Sequence, residues 1–314
     1  MTDSPPALPA VPAVPVRSAL AANGICLLSM LTWAAGLPAL GHLVNFVPPL
    51  TLTAWRVGLA GAVLVLAWAV REGVRTVVHA PWNRGLYVGF LVMGVGAVLL
   101  VVAIRYTDPV TAAIITSFMP IVGIGTEVLF DGRRVTLPLV AGLLLSLGGG
   151  VVAVDPAAAN PSFGLGALAA LASLFSYAWG SRLSISAFPG MSALGRSAIT
   201  VAGGGAILTA LAAGWSLAGG PGVDWAALGP GEYAAVAGAS IGSVAVSQTL
   251  WIVAVGAIGI GLSSLHMNAV PFYVMLISLA FGGDWQWNQA LGAAIVVLGV
   301  SVAQGLVPLR FGMR

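Results

Sequence analysis

The chain has 314 residues, of which 59% are apolar and only 7% are charged, and its mean hydropathy is +1.02. No soluble core could absorb so much apolar surface, so the composition excludes a soluble globular domain and indicates a protein whose solvent is a lipid bilayer. The net charge of +3 includes twelve arginines and no lysine. These arginines are spread along the chain instead of lining one patch, which argues against a nucleic-acid surface.

The N-terminal segment includes the run PPALPAVPAVP, which cannot be helical. No charged segment of the secretory kind introduces the apolar stretch that follows. We therefore expect residues 1–18 to form a disordered cytoplasmic tail and not a cleaved signal.

Ten apolar stretches follow, each with about the 20 residues that a helix needs to cross the hydrocarbon. They are continuous and rich in Ala, Leu and Gly, whereas the strands of a barrel would alternate in character over about ten residues. The sequence therefore predicts an all-α polytopic membrane protein with ten transmembrane helices. The predicted spans are residues 20–39, 50–70, 86–104, 109–130, 137–154, 163–187, 191–215, 232–255, 262–281 and 287–307.

The placement of the arginines predicts the orientation. With ten spans both termini share a side, and the connectors on that side hold nine arginines against one on the other side. The positive-inside rule then places both termini in the cytoplasm. The nine are Arg17, Arg71, Arg75, Arg84, Arg133, Arg134, Arg182, Arg310 and Arg314, and the one is Arg105.

The chain also resembles itself at a nearly constant interval. The pattern of Ala113, Ser117 and Pro120 recurs 151 positions later as Ser264, Asn268 and Pro271. The glycine pair Gly142 and Gly149 recurs 150 positions later as Gly292 and Gly299. In addition, Arg56 and Arg196 each follow a proline by seven positions. A second unit of five spans must enter the membrane from the opposite face. We therefore predict two inverted five-helix repeats, residues 19–155 and 156–310, around a midplane site. Because Gly, Pro and Ala are common in membrane helices, chance similarity is the alternative.

Several of these features resemble a known family. The first helix carries TWAAGLPA (Thr32–Ala39), the sixth echoes it with YAWGSRLS (Tyr177–Ser184), and the fifth and tenth helices are of the L-x-x-G type. Together with the five-plus-five plan, they resemble the drug/metabolite transporter superfamily, EamA type, from Ala19 to Leu309. In overall look the chain is most similar to the bacterial aromatic amino acid exporter branch. The resemblance implies an inner-membrane location and a role in export.

Polar side chains inside the spans predict where a substrate binds, because a polar group facing lipid is costly. Such residues recur at helical spacing on spans six and eight and are joined by others on spans one and nine. The predicted substrate-binding residues are Trp33, Ser117, Tyr177, Ser243, Ser247, Gln248, Trp251, Ser264, His266 and Asn268. For any single serine, bonding within its helix or between helices is the competing interpretation.

Aromatic residues well inside the spans indicate the substrate class. They are Trp33, Tyr177, Trp179, Trp251 and Tyr273. An amphiphilic solute with a planar group could stack on them while its ammonium and carboxylate groups meet polar side chains, which predicts a small, amino acid-like substrate. Ordinary packing is the alternative. We expect a monomer or loose dimer in the lipid bilayer, with no nucleic-acid partner.

Four residues are predicted to act as hinges or gates. Pro120 and Pro271 lie in mid-span, where they free backbone carbonyls, and Arg56 and Arg196 lie roughly two turns inside their spans. Glu127 and His266 are the titratable groups best placed for proton coupling, although Glu127 is near a span end. The single Cys26 and three scattered histidines predict no metal site and no cofactor.

The predicted function is an inner-membrane exporter of aromatic or large apolar amino acids that works by alternating access. Alternatives with the same fold are a multidrug transporter and a transporter of another metabolite, such as a nucleobase or sugar, and a channel is a further alternative. The pentapeptide GASIG (Gly238–Gly242) with His266 offers a distant alternative, an intramembrane serine hydrolase using Ser240. The absence of lysine excludes a retinal pump. We predict that the protein is not an enzyme.

Overall fold

A computed structural model describes residues 16–106, 118–153, 164–280 and 282–307. Throughout these ranges the regular elements are helices, and no strand is present. The α-helices are α1 (Val16–Ala34), α2 (Leu37–Leu43), α3 (Pro49–Glu72), α4 (Val74–Val78), α5 (Trp82–Gly89), α6 (Gly96–Tyr106), α7 (Met119–Phe130), α8 (Leu137–Ala153), α9 (Leu165–Ser186), α10 (Ala193–Leu217), α11 (Pro230–Ser240), α12 (Ser247–Leu265), α13 (Val270–Ala280) and α14 (Trp287–Ala303).

Short segments of other helix types join some of these elements. π-helical turns at Phe90–Val95 and Ile241–Val246 connect α5 to α6 and α11 to α12, and 3₁₀ turns lie at Trp225–Ala227 and His266–Ala269. Gly259, with φ of +82°, interrupts α12, and this kink separates the predicted eighth and ninth spans. The first predicted span is also interrupted, between α1 and α2.

Five helical stretches in the described ranges are long and apolar enough to cross a membrane, and three shorter helices are also apolar. The five are Ser18–Leu43, Pro49–Glu72, Trp82–Leu100, Ala193–Leu217 and Pro230–Ala280. The all-helical architecture with several apolar helices is that of a polytopic membrane protein. Helical segments overlap each predicted span, while the count of ten and the five-plus-five arrangement stay predictions.

Two predicted features fall at or beyond the limits of the described ranges. Helix α1 begins at Val16, before the predicted end of the N-terminal tail, and residues 1–15 lie outside the described ranges. The predicted site residue Ser117 and its repeat partner Ala113 also lie outside them.

Glycine-lined seams hold pairs of distant helices together. Helix α3 packs against α10, and α8 packs against α14. At the second seam a Cβ on Gly149 would lie 2.6 Å from Gly292 O, and a Cβ on Gly299 would lie 2.7 Å from Gly142 O. Gly149, near the end of α8, lies against Gly292, near the start of α14, and Gly142 lies against the later Gly299. Helices α8 and α14 therefore run antiparallel. The missing side chains allow the backbones to approach closely, as is common between membrane helices.

Candidate functional site

Aromatic and methionine side chains from several helices meet in one buried cluster. Trp251 is 1% exposed, its ring centroid lies 6.1 Å from that of Tyr177, and its Nε1 donates a hydrogen bond to Ser181 Oγ at 3.3 Å. Other large members of this central cluster are Met30, Trp33, Met119, Met267 and Tyr273. The structure therefore brings together four of the five aromatic residues singled out in the sequence.

The fifth, Trp179, was predicted wrongly to share this environment. Its ring packs on Phe130, with centroids 4.6 Å apart, and the Arg182 guanidinium lies 5.4 Å from its centroid. The one-hundred-degree step between helical neighbours separates Trp179 from the face of Tyr177, two positions earlier.

Helices α1 and α12 form a polar seam beside the central cluster. Ser29 Oγ donates to Ser247 O at 2.8 Å, and the two hydroxyl oxygens are 3.4 Å apart. Nearer α2, Gly36 lies directly against Ser243, so that a Cβ on Gly36 would overlap the serine side chain. Trp33 lies between these two contacts on the first span. The predicted residues Trp33, Ser243 and Ser247 thus share one seam.

Arg56 reaches this seam from α3. Its Nη2 donates to Ser243 Oγ at 3.4 Å, while its Nε is buried and has no hydrogen-bond partner. Sequence spacing makes Arg56 and Arg196 counterparts, and the structure separates their environments. Arg196 is in the first turn of α10, not two turns inside it, and its Nε donates to Phe188 O at 3.2 Å.

Gln248 is buried one residue beyond Ser247. Its Nε2 makes no hydrogen bond, although the side chain is only 5% exposed. Buried amide groups are normally paired, so this nitrogen is a donor available to a bound molecule.

The predicted residues of span nine are engaged elsewhere. Asn268 Nδ2 donates to Ser146 Oγ at 3.1 Å and to Ser146 O at 3.2 Å, leaving Asn268 Oδ1 buried and without a partner. Ser264 Oγ donates to Gly261 O at 2.8 Å, and His266 Nδ1 lies 3.2 Å from Leu262 O. Ser264 and His266 therefore bond within their own helical segment, and Asn268 bonds to α8.

The two prolines occupy helix starts. Pro120 is the second residue of α7, and Pro271 is the second residue of α13, directly after the 3₁₀ turn His266–Ala269. Pro271 lies inside the continuous helical stretch Pro230–Ala280, so its role as a hinge stays a prediction. The change of helix type just before it gives the chain a bend there.

Glu127 has partners that the sequence did not predict. The buried carboxylate pairs with Arg133 and accepts a hydrogen bond from Gly261 N at 3.1 Å, at the start of the helical segment that follows the Gly259 kink. The bond between Glu127 and Gly261 could not be predicted from local sequence, because the two residues are 134 positions apart. The only local signal was the glycine-rich run GAIGIG, which indicates a turn near Gly259. The carboxylate thus joins the end of α7 to the kink in α12.

A second ion pair lies at the same end of α7. Arg182 donates to Asp131 at distances of 2.6 to 3.0 Å, and its guanidinium also lies 5.3 Å from the Phe130 ring centroid. Together with Glu127 and Arg133, these groups link α7, α9 and α12 at the face that the arginine distribution predicts to be cytoplasmic.

Two pockets of modest volume open elsewhere. One of about 270 Å³ is apolar and is lined by residues of α1, α13 and α14, including Leu27, Phe272 and Tyr273. The other, of about 250 Å³, is polar and is lined by residues of α13, by Asp284 and Gln286, and by Gln289 of α14. Tyr273 is the one member of the predicted aromatic set that lines either of them.

The groups of the hydrolase alternative are not paired with each other. Ser240 Oγ donates to Val236 O at 2.6 Å, and His266 bonds to its own segment. A nucleophilic serine needs an imidazole within hydrogen-bond distance.

Comparisons with known proteins agree with the helical architecture. Residues 20–154 match the model of the EamA-like transporter family. The uncharacterized transporter YyaM of Bacillus subtilis (strain 168) is 24% identical over 275 residues, covering 85% of this chain and 88% of that protein. A solved crystal structure of a protein matches with a TM-score of 0.76 at 25% identity, covering 92% of this chain and 99% of the other. By these comparisons the chain is similar to EamA-like transporters over residues 20–154 and to an uncharacterized transporter over most of its length, and its apolar helices are those of a multi-pass membrane protein.

Proposed function

We propose that this transporter exports aromatic or other large apolar amino acids across the bacterial inner membrane. It works as a monomer or loose dimer with both termini in the cytoplasm, and alternating access arises from rocking of two inverted five-helix halves. The observation that carries the proposal is the central aromatic cluster, which is flanked by buried polar atoms without partners. Three further observations support the inversion of the two halves.

The first support is a repeated irregularity of the backbone. The π-turns at Phe90–Val95 and Ile241–Val246 are 151 positions apart, as are Pro120 and Pro271. Helices α7 and α13, which begin at Met119 and Val270, keep the same interval. π-turns are rare, so their recurrence at the interval found in the sequence favours repetition over chance.

The second support is a pair of equivalent hydrogen bonds. Ser29 Oγ donates to Ser247 O at 2.8 Å, and Ser173 Oγ donates to Gly96 O at 2.7 Å. Gly96 and Ser247 are again 151 positions apart, and each directly follows a π-turn. A pseudo-two-fold axis that exchanges spans one and six, and three and eight, would convert one bond into the other.

The third support is a matching pair of close helix contacts. Gly36 lies against Ser243, and Gly180 lies against Val92. Exchanging the halves by the same intervals maps the first contact onto the second. The antiparallel seams of α3 with α10 and of α8 with α14 fit the same axis, because each would map onto itself.

The proposed substrate class rests on the hydrogen-bond partners that buried polar groups beside the aromatic cluster lack. Among the described residues, buried donors without partners occur at Arg56 Nε and Gln248 Nε2, a buried hydroxyl without a partner occurs at Ser263, and a buried acceptor without a partner occurs at Asn268 Oδ1, whose amide nitrogen bonds to α8. A buried polar group is costly unless it is hydrogen-bonded. An amino acid supplies both a carboxylate and an ammonium group, and a large apolar side chain suits the rings of Trp33, Tyr177 and Trp251.

The test is counterflow of radiolabelled solutes in proteoliposomes, with a panel of aromatic, branched, thioether and hydroxyl amino acids and a nucleobase. We expect saturable exchange of aromatic and large apolar amino acids that internal substrate stimulates, because alternating access couples the two directions. Exchange that is absent for every amino acid and present for the nucleobase would contradict the proposed substrate. Flux that neither saturates nor responds to internal substrate would indicate a channel.

A further inference from the structure

Arg56 is a cation inside a membrane helix that has no anionic partner among the residues the structure describes. It is the eighth residue of α3, which places it about 10 Å along the helix from Pro49 at a rise of 1.5 Å per residue. Within the described ranges no carboxylate pairs with it, and its one side-chain partner is the Ser243 hydroxyl at 3.4 Å. The residue is half-buried and its Nε is fully buried, and a charge shielded from water is stabilised by a counter-charge, which a bound anion could supply here.

Other arginines of the chain have found carboxylates. Arg133 pairs with Glu127, and Arg182 pairs with Asp131. Arg196, which follows a proline by seven residues as Arg56 does, donates its Nε to a backbone carbonyl. The Nε of Arg56 is buried with no acceptor, which distinguishes Arg56 from this counterpart.

A second unpaired donor lies on the helix that Arg56 contacts. Ser243 is within the π-turn Ile241–Val246, and Gln248 follows five residues after Ser243. Gln248 belongs to the same helical stretch and directly follows Ser247. The two orphan groups, Arg56 Nε and Gln248 Nε2, are both donors. The missing partner is an acceptor.

The aromatic cluster begins directly beside these donors. Gly36 lies against Ser243, and its backbone N–H donates to Trp33 O, one turn earlier on the first span. Trp33 belongs to the central cluster with Tyr177 and Trp251. A molecule held by Arg56 could therefore extend its apolar part along Trp33.

We propose that Arg56, with Ser243 and Gln248, binds the carboxylate of the transported amino acid. This inference rests on the proposed function and assigns one end of its substrate. It replaces the gating role that the sequence suggested for Arg56. A guanidinium presents parallel N–H groups that match the two oxygens of a carboxylate, and the serine hydroxyl and amide add two neutral donors. One cationic group with two neutral donors suits a single negative charge.

The experiment compares ligands that differ only in the carboxylate. L-phenylalanine and phenethylamine form one pair, and L-tryptophan and tryptamine form the other. Binding to the full-length protein in detergent is measured for wild type, Arg56→Gln, Arg56→Lys, and Arg196→Gln as the matched control, and counterflow is measured in proteoliposomes. We expect Arg56→Gln to weaken binding of the amino acids at least about tenfold and to leave binding of the amines within about twofold. Arg196→Gln should keep the wild-type ratio.

Arg56→Lys keeps the charge but loses the planar fork, so it should lie between wild type and Arg56→Gln, and it remains informative if the glutamine variant does not fold. Equal weakening of amino acids and amines by both Arg56 variants, or no effect on either, would overturn the assignment while leaving the transport function intact. Binding of none of the four ligands by wild type would also overturn it. Arg56-dependent binding without any counterflow would keep the assignment and contradict the transport function.

Discussion

The two helices that carry the π-turns have the same backbone plan and different side chains. In the first half, Gly89 lies against the backbone of α10 and Val92 lies against Gly180. At the positions 151 residues later, the second half carries Ser240 and Ser243, and Ser243 is reached by Arg56. One helix therefore packs closely, while its counterpart supplies polar groups to the seam beside the aromatic cluster.

Under the proposed inverted repeat, this difference indicates how the two halves can become specialised. Three features recur in both proposed halves: the π-turn, the serine hydroxyl that donates to the carbonyl of the residue directly after that π-turn, and the close contact made by a glycine. The side chains that could recognise a solute do not recur. We infer that the shared features set the geometry of the fold, whereas the second half, with Arg56, determines recognition.

Adding a side chain to the packing helix should have the largest effect. We expect Gly89→Val to destabilise the protein by at least about 3 kcal/mol, because its Cβ would overlap the backbone around Thr200 and Gly204. Ser240→Ala, at the equivalent position, should cost about 1 kcal/mol or less because it loses one bond to its own helix. Thermal unfolding in detergent measures both. Equal destabilisation by the two substitutions would contradict the contrast between the helices.

Removing the Glu127 carboxylate should have the next largest effect. Its equivalent position in the second half is Ser278, so the charged link to the α12 kink is present in one half only. We expect Glu127→Gln to cost about 1 to 3 kcal/mol, because Arg133 loses its anion and the Gly261 N–H loses a charged acceptor. Ser278→Ala should be within about 0.5 kcal/mol of wild type. If Glu127→Gln lowers the stability less than Ser278→Ala does, the Glu127 carboxylate does not stabilise the link between α7 and the α12 kink.

Ser243 and its counterpart Val92 should separate recognition from packing. We expect Ser243→Ala to weaken binding of L-phenylalanine by about three- to tenfold, through loss of one hydroxyl donor, with little change in thermal stability. Val92→Ala should lower the thermal stability through lost contact with Gly180 and leave the affinity unchanged. Titration of each purified variant provides the affinities. The reverse pattern would assign recognition to the first half.

The smallest effects are expected for the two equivalent serines. Ser29→Ala and Ser173→Ala should each cost about 0.5 to 1.5 kcal/mol and should agree within about 0.5 kcal/mol, because each removes one hydrogen bond to the residue after a π-turn. The comparison uses thermal unfolding under identical detergent conditions. A cost confined to one serine would show that the two bonds are not equivalent.

Local sequence patterns predicted the helical class and part of the site. The apolar stretches indicated membrane helices, and the serine spacing placed Ser243, Ser247 and Trp251 on one side of α12 and the turn before it. The helical class could be predicted because helical periodicity depends only on residues a few positions apart, whereas the substrate-binding role of these side chains stays a prediction. The glycines at 142, 149, 292 and 299 were also identified from their spacing, and they meet at the seam of α8 and α14.

Other features depended on contacts between distant residues. No local pattern encodes a π-turn, and the partner of Asn268 lies 122 positions earlier at Ser146. That Arg56 has no acidic partner within the described ranges also became visible only from its three-dimensional surroundings. Sequence spacing identified Arg56 and Arg196 as counterparts, and their three-dimensional contacts distinguished them.

The central claim, inversion of the two halves, is tested most directly by the sidedness of two equivalent loop positions. Asn45 and Pro189 are exposed, are 144 positions apart, and follow the contacts that Gly36 and Gly180 make. Single cysteines at these positions, on a Cys26→Ser background, would be labelled with a membrane-impermeant maleimide in intact cells. We expect Asn45→Cys to react from outside and Pro189→Cys to react only after the membrane is permeabilised. Reaction of both cysteines from the same side would contradict the inverted repeat.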